Sequence, residues 1–108
     1  MPFFVLLTDD AVQDLEEIYD YIERYDGANK ANYVLERIEK VFSTLAENPH
    51  RGSYPKELLS LGLMDFRQTF FKPYRIIYRV IETNVYILLI TDGRRDMQKL
   101  LQRRLLQA

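Results

Sequence analysis

The chain contains no cysteine. That excludes a disulfide framework and any thiolate metal site, and it suits a reducing cytoplasm. It has a single histidine, His50, and one imidazole without cysteine cannot build a typical zinc centre. His50 reads as an exposed loop residue, and neither a metal nor a cofactor is expected. The glycines Gly27, Gly52, Gly62 and Gly93 stand alone, so there is no Gly-rich loop to cradle phosphates. Serines occur only at Ser43, Ser53 and Ser60, none with a histidine spaced as a base, which leaves nucleophilic hydrolysis without support. Long apolar runs are missing too. The N-terminal run Phe3–Leu7 is too short for the apolar part of a signal peptide or for a membrane span, and no basic residue precedes it. A soluble, cytoplasmic protein with no membrane partner is expected.

What is present is enough for one domain, residues 1–108. Apolar residues make up 47% and aromatics 13% of the chain, which supplies a single core. The net charge of −1 hides an asymmetry. Residues 1–60 carry 12 acids and 6 bases, and residues 61–108 carry 4 acids and 9 bases. A chain dedicated to nucleic acid is usually basic overall, because phosphate contacts dominate that affinity. This one has a basic C-terminal half only, which suits an acidic protein partner or a restricted stretch of nucleic acid.

Phe3–Leu7 has the length of a buried strand. Thr8 follows at a helix N-cap position, with Asp9 and Asp10 complementing the helix dipole. The helix they open places Ala11, Leu15, Ile18, Tyr19, Ile22 and Tyr25 on one face and its acids outside. After Asp26-Gly27 a second helix carries the stripe Ala31, Val34, Leu35, Ile38, Val41, Phe42 and Leu45, ending near Asn48-Pro49. Two helices with so short a break predict a hairpin. An irregular loop follows, then a helical turn with Leu58, Leu59 and Leu61 pinned to the core. From Phe66 to Asp92, three runs rich in aromatic and β-branched residues are separated by Lys72-Pro73 and Thr83-Asn84, which predicts antiparallel strands joined by tight turns. Beyond Asp96, helical spacing returns with Met97, Leu100, Leu101, Arg104 and Leu105. The expected fold is α+β, ordered β-α-α-β-β-β-α, with the helices grouped on one side of a mainly antiparallel four-stranded sheet and a basic C-terminal helix. Phe3, Leu15, Ile18, Ile22, Leu35, Ile38, Phe42, Leu45, Ile76, Tyr78, Ile87, Leu89 and Leu100 form the expected core.

Arginines recur in and beside these strands. Alternation along the strand turns Arg75, Ile77 and Arg79 to one face and Tyr74, Ile76, Tyr78 and Val80 to the other. An arginine and tyrosine set of this kind is suited to holding phosphates, with Arg stabilising developing charge and Tyr moving a proton. Edge arginines and core tyrosines look the same, and the sequence pattern alone favours that plainer reading.

At these residues the chain resembles the RelE/ParE superfamily of type II toxin–antitoxin toxins, and its ParE (plasmid stabilisation) branch most. The resemblance rests on Ala11, Asp14-Leu15, Ile18 and Tyr21-Ile22 in the first helix, and on Ala31, Ile38, Leu45, Asn48-Pro49 and Gly52 after it. It continues with Arg67, with Tyr74-Arg75-Ile76 and Tyr78, and with Gly93-Arg94-Arg95-Asp96, Leu100-Leu101 and Arg104. The resemblance implies a toxin neutralised in a hetero-oligomer by a cognate, ParD-like antitoxin laid across its helices and sheet edge. ParE-type members inhibit DNA gyrase and are not known as nucleases, so the resemblance implies an inhibitor rather than a ribonuclease. RelE-type members cleave mRNA on the ribosome, and on that alternative Arg67 and Arg75 would clamp the phosphate while Tyr78 assists proton transfer. Three departures favour the ParE reading: Asp92 where many members carry histidine, a basic amphipathic C-terminal helix, and a slightly acidic total charge. The target-binding residues expected on that reading are Arg67, Arg75, Arg79, Arg94, Arg95, Arg103 and Arg104.

Overall fold

The computed structural model describes residues 2–106. Thr8 caps the first helix as its sequence position requires. Its Oγ1 accepts from the Ala11 N–H at 3.2 Å and donates to the Ile87 carbonyl at 3.0 Å. The cap therefore also anchors helix α1 (Asp9–Asp26) to the sheet. One residue, Gly27, joins α1 to α2 (Ala28–Glu47), and its φ of +92° is open to glycine and strained for other residues. Pro49–Arg51 forms a short 3₁₀ turn, and Lys56–Leu59 a single helical turn, α3.

Strand β1 (Phe4–Leu7) is followed in space, not in sequence, by β4 (Asn84–Asp92), then β3 (Tyr74–Ile81) and β2 (Arg67–Phe71). β1 runs parallel to β4, and the other two pairings are antiparallel. In the β3–β4 register Tyr78 faces Ile87 while Ile77 faces Leu89, so Leu88 is an extra, bulged residue. The bulge shifts the alternation of β4 by one. Val85, Ile87 and Ile90 join Ile76 and Tyr78 under the α1–α2 hairpin, with Ala11, Ile22, Ile38 and Leu45 above them. Leu89 joins Ile77 on the opposite face, beneath Leu58, Phe66, Met97, Leu100 and Leu101.

The last helix, α4 (Met97–Leu101), continues into a wider turn over Gln102–Leu106. It packs with α3 on the face away from the hairpin, so the helices are not grouped on one side. The sheet needs both layers because both of its faces are apolar between Ile76 and Ile90. Three further expectations give way. Phe3–Leu7 is not a buried strand: β1 is an edge, with Phe4 67% and Leu6 44% exposed. Of the three leucines beside α3, Leu58 is buried while Leu59 and Leu61 face solvent. Tyr25 lies outside the stripe of α1. Within the expected core Phe3, Leu15, Ile18 and Leu35 are half-buried and the others fully buried. No helix among the described residues is long and apolar enough to cross a membrane.

Candidate functional site

The arginines divide into those already engaged inside the chain and those left to solvent. Arg67 shares a face with Tyr78, its partner in the β2–β3 register. Its guanidinium donates to the carbonyls of His50 and Gly52 and to the Tyr54 hydroxyl, and it lies 4.7 Å from the Tyr54 ring centroid. Tyr78 is fully buried, donating to the Pro49 carbonyl at 2.7 Å and accepting from the Gly52 N–H at 3.1 Å. Burial pushes its hydroxyl pKa up, against the pull of the Gly52 N–H and of Arg67. Together these residues pin the loop from Asn48 to Pro55 onto the sheet. Gly52 makes the pinning possible, because a Cβ there would collide with the Tyr78 hydroxyl and the Gln68 carbonyl.

Arg75 points to the other face, as the alternation predicts. It holds Glu57 of α3 through two bonds of 2.8 and 2.9 Å and also donates to the Gln68 side chain. Only 11% of the Arg75 side chain and 14% of the Glu57 side chain are exposed. The Arg75 guanidinium keeps the Glu57 carboxyl below its ordinary pKa despite the opposing effect of burial. Arg67 with Tyr78 and Arg75 are thus on opposite faces of the sheet, and the three do not form one cluster.

Arg104 reaches round to the hairpin side. It binds Asp14 through two contacts of 3.0 Å each and donates to the Leu88 carbonyl at 3.0 Å, with Asp10 at 3.7 Å. Asp14 raises the Arg104 pKa. Asp14 also accepts from the Ile90 N–H at 3.0 Å, so it is not on the solvated face where the other acids of α1 stand. Residues Leu88 and Ile90 need these side chains because β1 ends opposite Ile87, leaving the rest of β4, among the described residues, with no strand on the side away from β3.

The remaining target-binding candidates lie outside. Arg79 is exposed, near the Phe66 ring. Arg94 is 81% exposed and paired with Asp92 at 2.6 Å, which lowers the Asp92 carboxyl pKa. Arg95 is exposed with one long contact to Thr91, and Arg103 is exposed. Two features escaped sequence reasoning. Glu57 offered no local cue to its partner. Asp14 did offer one, since it falls at i+3 from Ala11 and i−4 from Ile18, inside the apolar stripe. His50 is an exposed loop residue, edge-on to Phe3. No group of acids and histidine among the described residues is placed to hold a metal ion.

Two open surfaces complete the site. An apolar groove of about 330 Å³ is lined by Leu7, Val12, Leu15, Tyr19 and Leu35, with Glu16 and Asp20 at its lip. A larger groove of about 610 Å³ runs between α1 and the unpaired part of β4.

Residues 5–97 match the family of the ParE toxin of the type II toxin–antitoxin system parDE. Toxin ParE3 of Caulobacter vibrioides is 33% identical over 84 residues, covering 78% of this chain and 80% of that protein. Among solved structures, the chromosomal ParDE TA system from P. aeruginosa superposes with a TM-score of 0.70 at 22% identity, over 83% of this chain and 95% of that one. A mutant of E. coli toxin RelE in the free state gives 0.64 at 15% identity, over 97% and 100%. The toxin–antitoxin complex RelBE2 from Mycobacterium tuberculosis gives 0.57 at 23% identity, over 85% and 99%. The structural likenesses carry the fold, and the sequence match carries the assignment: this chain belongs to the ParE toxin family of type II toxin–antitoxin systems.

Proposed function

We propose that the protein inhibits DNA gyrase by binding it, and that a cognate antitoxin neutralises it in a hetero-oligomer in the cytoplasm. The observation that carries this reading over mRNA cleavage is the separation of Arg75 from Arg67 and Tyr78 by the sheet, with the Tyr78 hydroxyl buried. Phosphodiester cleavage requires an acid or base and a cation within reach of the same phosphate. Here the Tyr78 hydroxyl has both its donor and its acceptor role filled inside the protein, and Arg75 lies across the sheet in an ion pair. Of the target-binding candidates, Arg79, Arg95 and Arg103 are left for a protein surface, with Arg94 beside its own carboxylate. Arg67, Arg75 and Arg104 serve by holding the loop, α3 and the C-terminal turn in place.

The antitoxin is assigned to the apolar groove at Leu7, Val12, Leu15 and Leu35 and to the open edge of β1. Exposed apolar side chains at both places suit an amphipathic helix and an added strand from one flexible segment. The test sets purified, antitoxin-free protein against gyrase supercoiling and against mRNA on translating ribosomes. Lost supercoiling with intact mRNA is the expected result. Codon-periodic cuts with normal supercoiling refute it.

A further inference from the structure

We propose that the groove between α1 and the unpaired end of β4 is a docking site for an extended segment of a partner protein that carries arginine or lysine. The proposal goes beyond the gyrase reading and does not rest on it. The first observation is a strand edge on which no strand lies among the described residues. Ile90 turns its N–H away from β3 to Asp14, and the Gly93 N–H turns inward to the Pro73 carbonyl. By the alternation of an antiparallel pair, the Ile90 carbonyl and the Asp92 N–H therefore point outward into the groove. Those two groups are a ready site for one added strand.

The second observation is an occupant already in place next door. Arg104 of the chain itself lies between an α1 carboxylate, Asp14, and a β4 edge carbonyl, that of Leu88. Three residues further along α1, Glu17 lines the groove together with Ile90 of β4, and Asp26 lines it nearer the end of the helix. Tyr21, 64% exposed, supplies an aromatic face between the two acids. Helix α1 carries acids along its outer surface with Arg24 as its one base, so the field along the groove favours an incoming cation. Arg94 and Arg95 stand at the far end, where Asp92 neutralises the first of them. A segment with its basic residue toward α1 and its backbone on β4 repeats what Arg104 does with its side chain and the neighbouring edge.

The test uses the purified chain, labelled with ¹⁵N, and a short fluorescent peptide of alternating valine and arginine, beside a matched peptide with glutamate for arginine. Expected are binding of the arginine peptide by anisotropy, shifts of the Asp92 and Tyr21 amide signals on titration, and no binding of the glutamate peptide. Glu17→Gln and Asp26→Asn should each weaken binding about two- to fivefold, as removal of one screened ion pair does. Both residues are exposed, and the Asp92 signal of the unmodified chain reports independently of any variant. Equal binding of both peptides, shifts confined to β1, or binding indifferent to the two substitutions overturns the proposal. So does concentration-dependent shifting of the same amides without peptide, which would assign the groove to a second copy.

Discussion

The pairing of Arg104 with Asp14 is where the C-terminal turn should be most sensitive to a single change. Replacing Arg104 by methionine keeps most of the aliphatic stem and removes the charge and three hydrogen bonds. Asp14, 14% exposed beneath Arg104, then keeps only the Ile90 N–H as a partner for its negative charge. Breaking a fully buried pair costs about 3–5 kcal/mol. Arg104 is still 18% exposed, so water offsets part of that, and about 2–3 kcal/mol is expected here. Of this, about 1 kcal/mol belongs to the bond lost at the Leu88 carbonyl. Urea unfolding followed by circular dichroism is the assay. With a slope of about 1.5 kcal/mol/M for a domain this size, the midpoint should fall by about 1.3–2 M. Asp14→Asn should cost a comparable amount, and the double variant less than the sum by more than about 1 kcal/mol. A midpoint shift under about 0.3 M, or effects that simply add, would show that the pair is a surface decoration and the reasoning wrong.

Gly52→Ala should destabilise by about 1–3 kcal/mol, as overpacking does, because its Cβ meets the Tyr78 hydroxyl and a backbone carbonyl. Calorimetry should show the drop, while the same change at exposed Gly62 should act through its positive φ alone. Glu57 has a lowered folded pKa, so its pair with Arg75 contributes fully above the unfolded glutamate value near about 4.3. That contribution is lost as pH falls through the lower folded value. Glu57→Gln should therefore flatten the acid limb of a stability–pH curve below about pH 5 and leave its alkaline side unchanged in shape. Arg95→Ala with Arg103→Ala should abolish gyrase inhibition at an unchanged melting temperature. Arg67→Ala should instead lower the melting temperature, checked by thermal unfolding beside the supercoiling assay.

The hairpin and the three consecutive strands were legible because their patterns are local: a 3.6-residue stripe in α1 and α2, and β-branched alternation from Tyr74 to Ile81. Exposure of Phe4 and Leu6 was not legible, since an apolar run reads alike at an edge and at a centre until its neighbours are known. The side on which α4 packs was hidden for a similar reason. Its apolar positions were evident, but the bulge at Leu88, which turns Leu89 toward it, has no mark in the sequence. The alternation did separate Arg75 from Tyr78. What it lacked was the partners, since Glu57 and Asp14 lie far along the chain from the arginines they hold. Residue type announced the cations, and only tertiary pairing told the structural ones from the free ones.

The pairing of β1 with β4 alone has a consequence in time. Strand β1 can find its neighbour only after residues 84–92 have been synthesised, so the hairpin of α1 and α2 must wait without the sheet it covers. Closing so long a loop comes late and raises the contact order. During that interval Val5, Leu7 and the hairpin's apolar stripe, all covered in the finished fold, stand open, a state that favours misassociation. A chain built this way acquires its finished surface only once β4 has been made, which leaves a partner that binds the hairpin or the β1 edge a window in which to meet it before the sheet has closed.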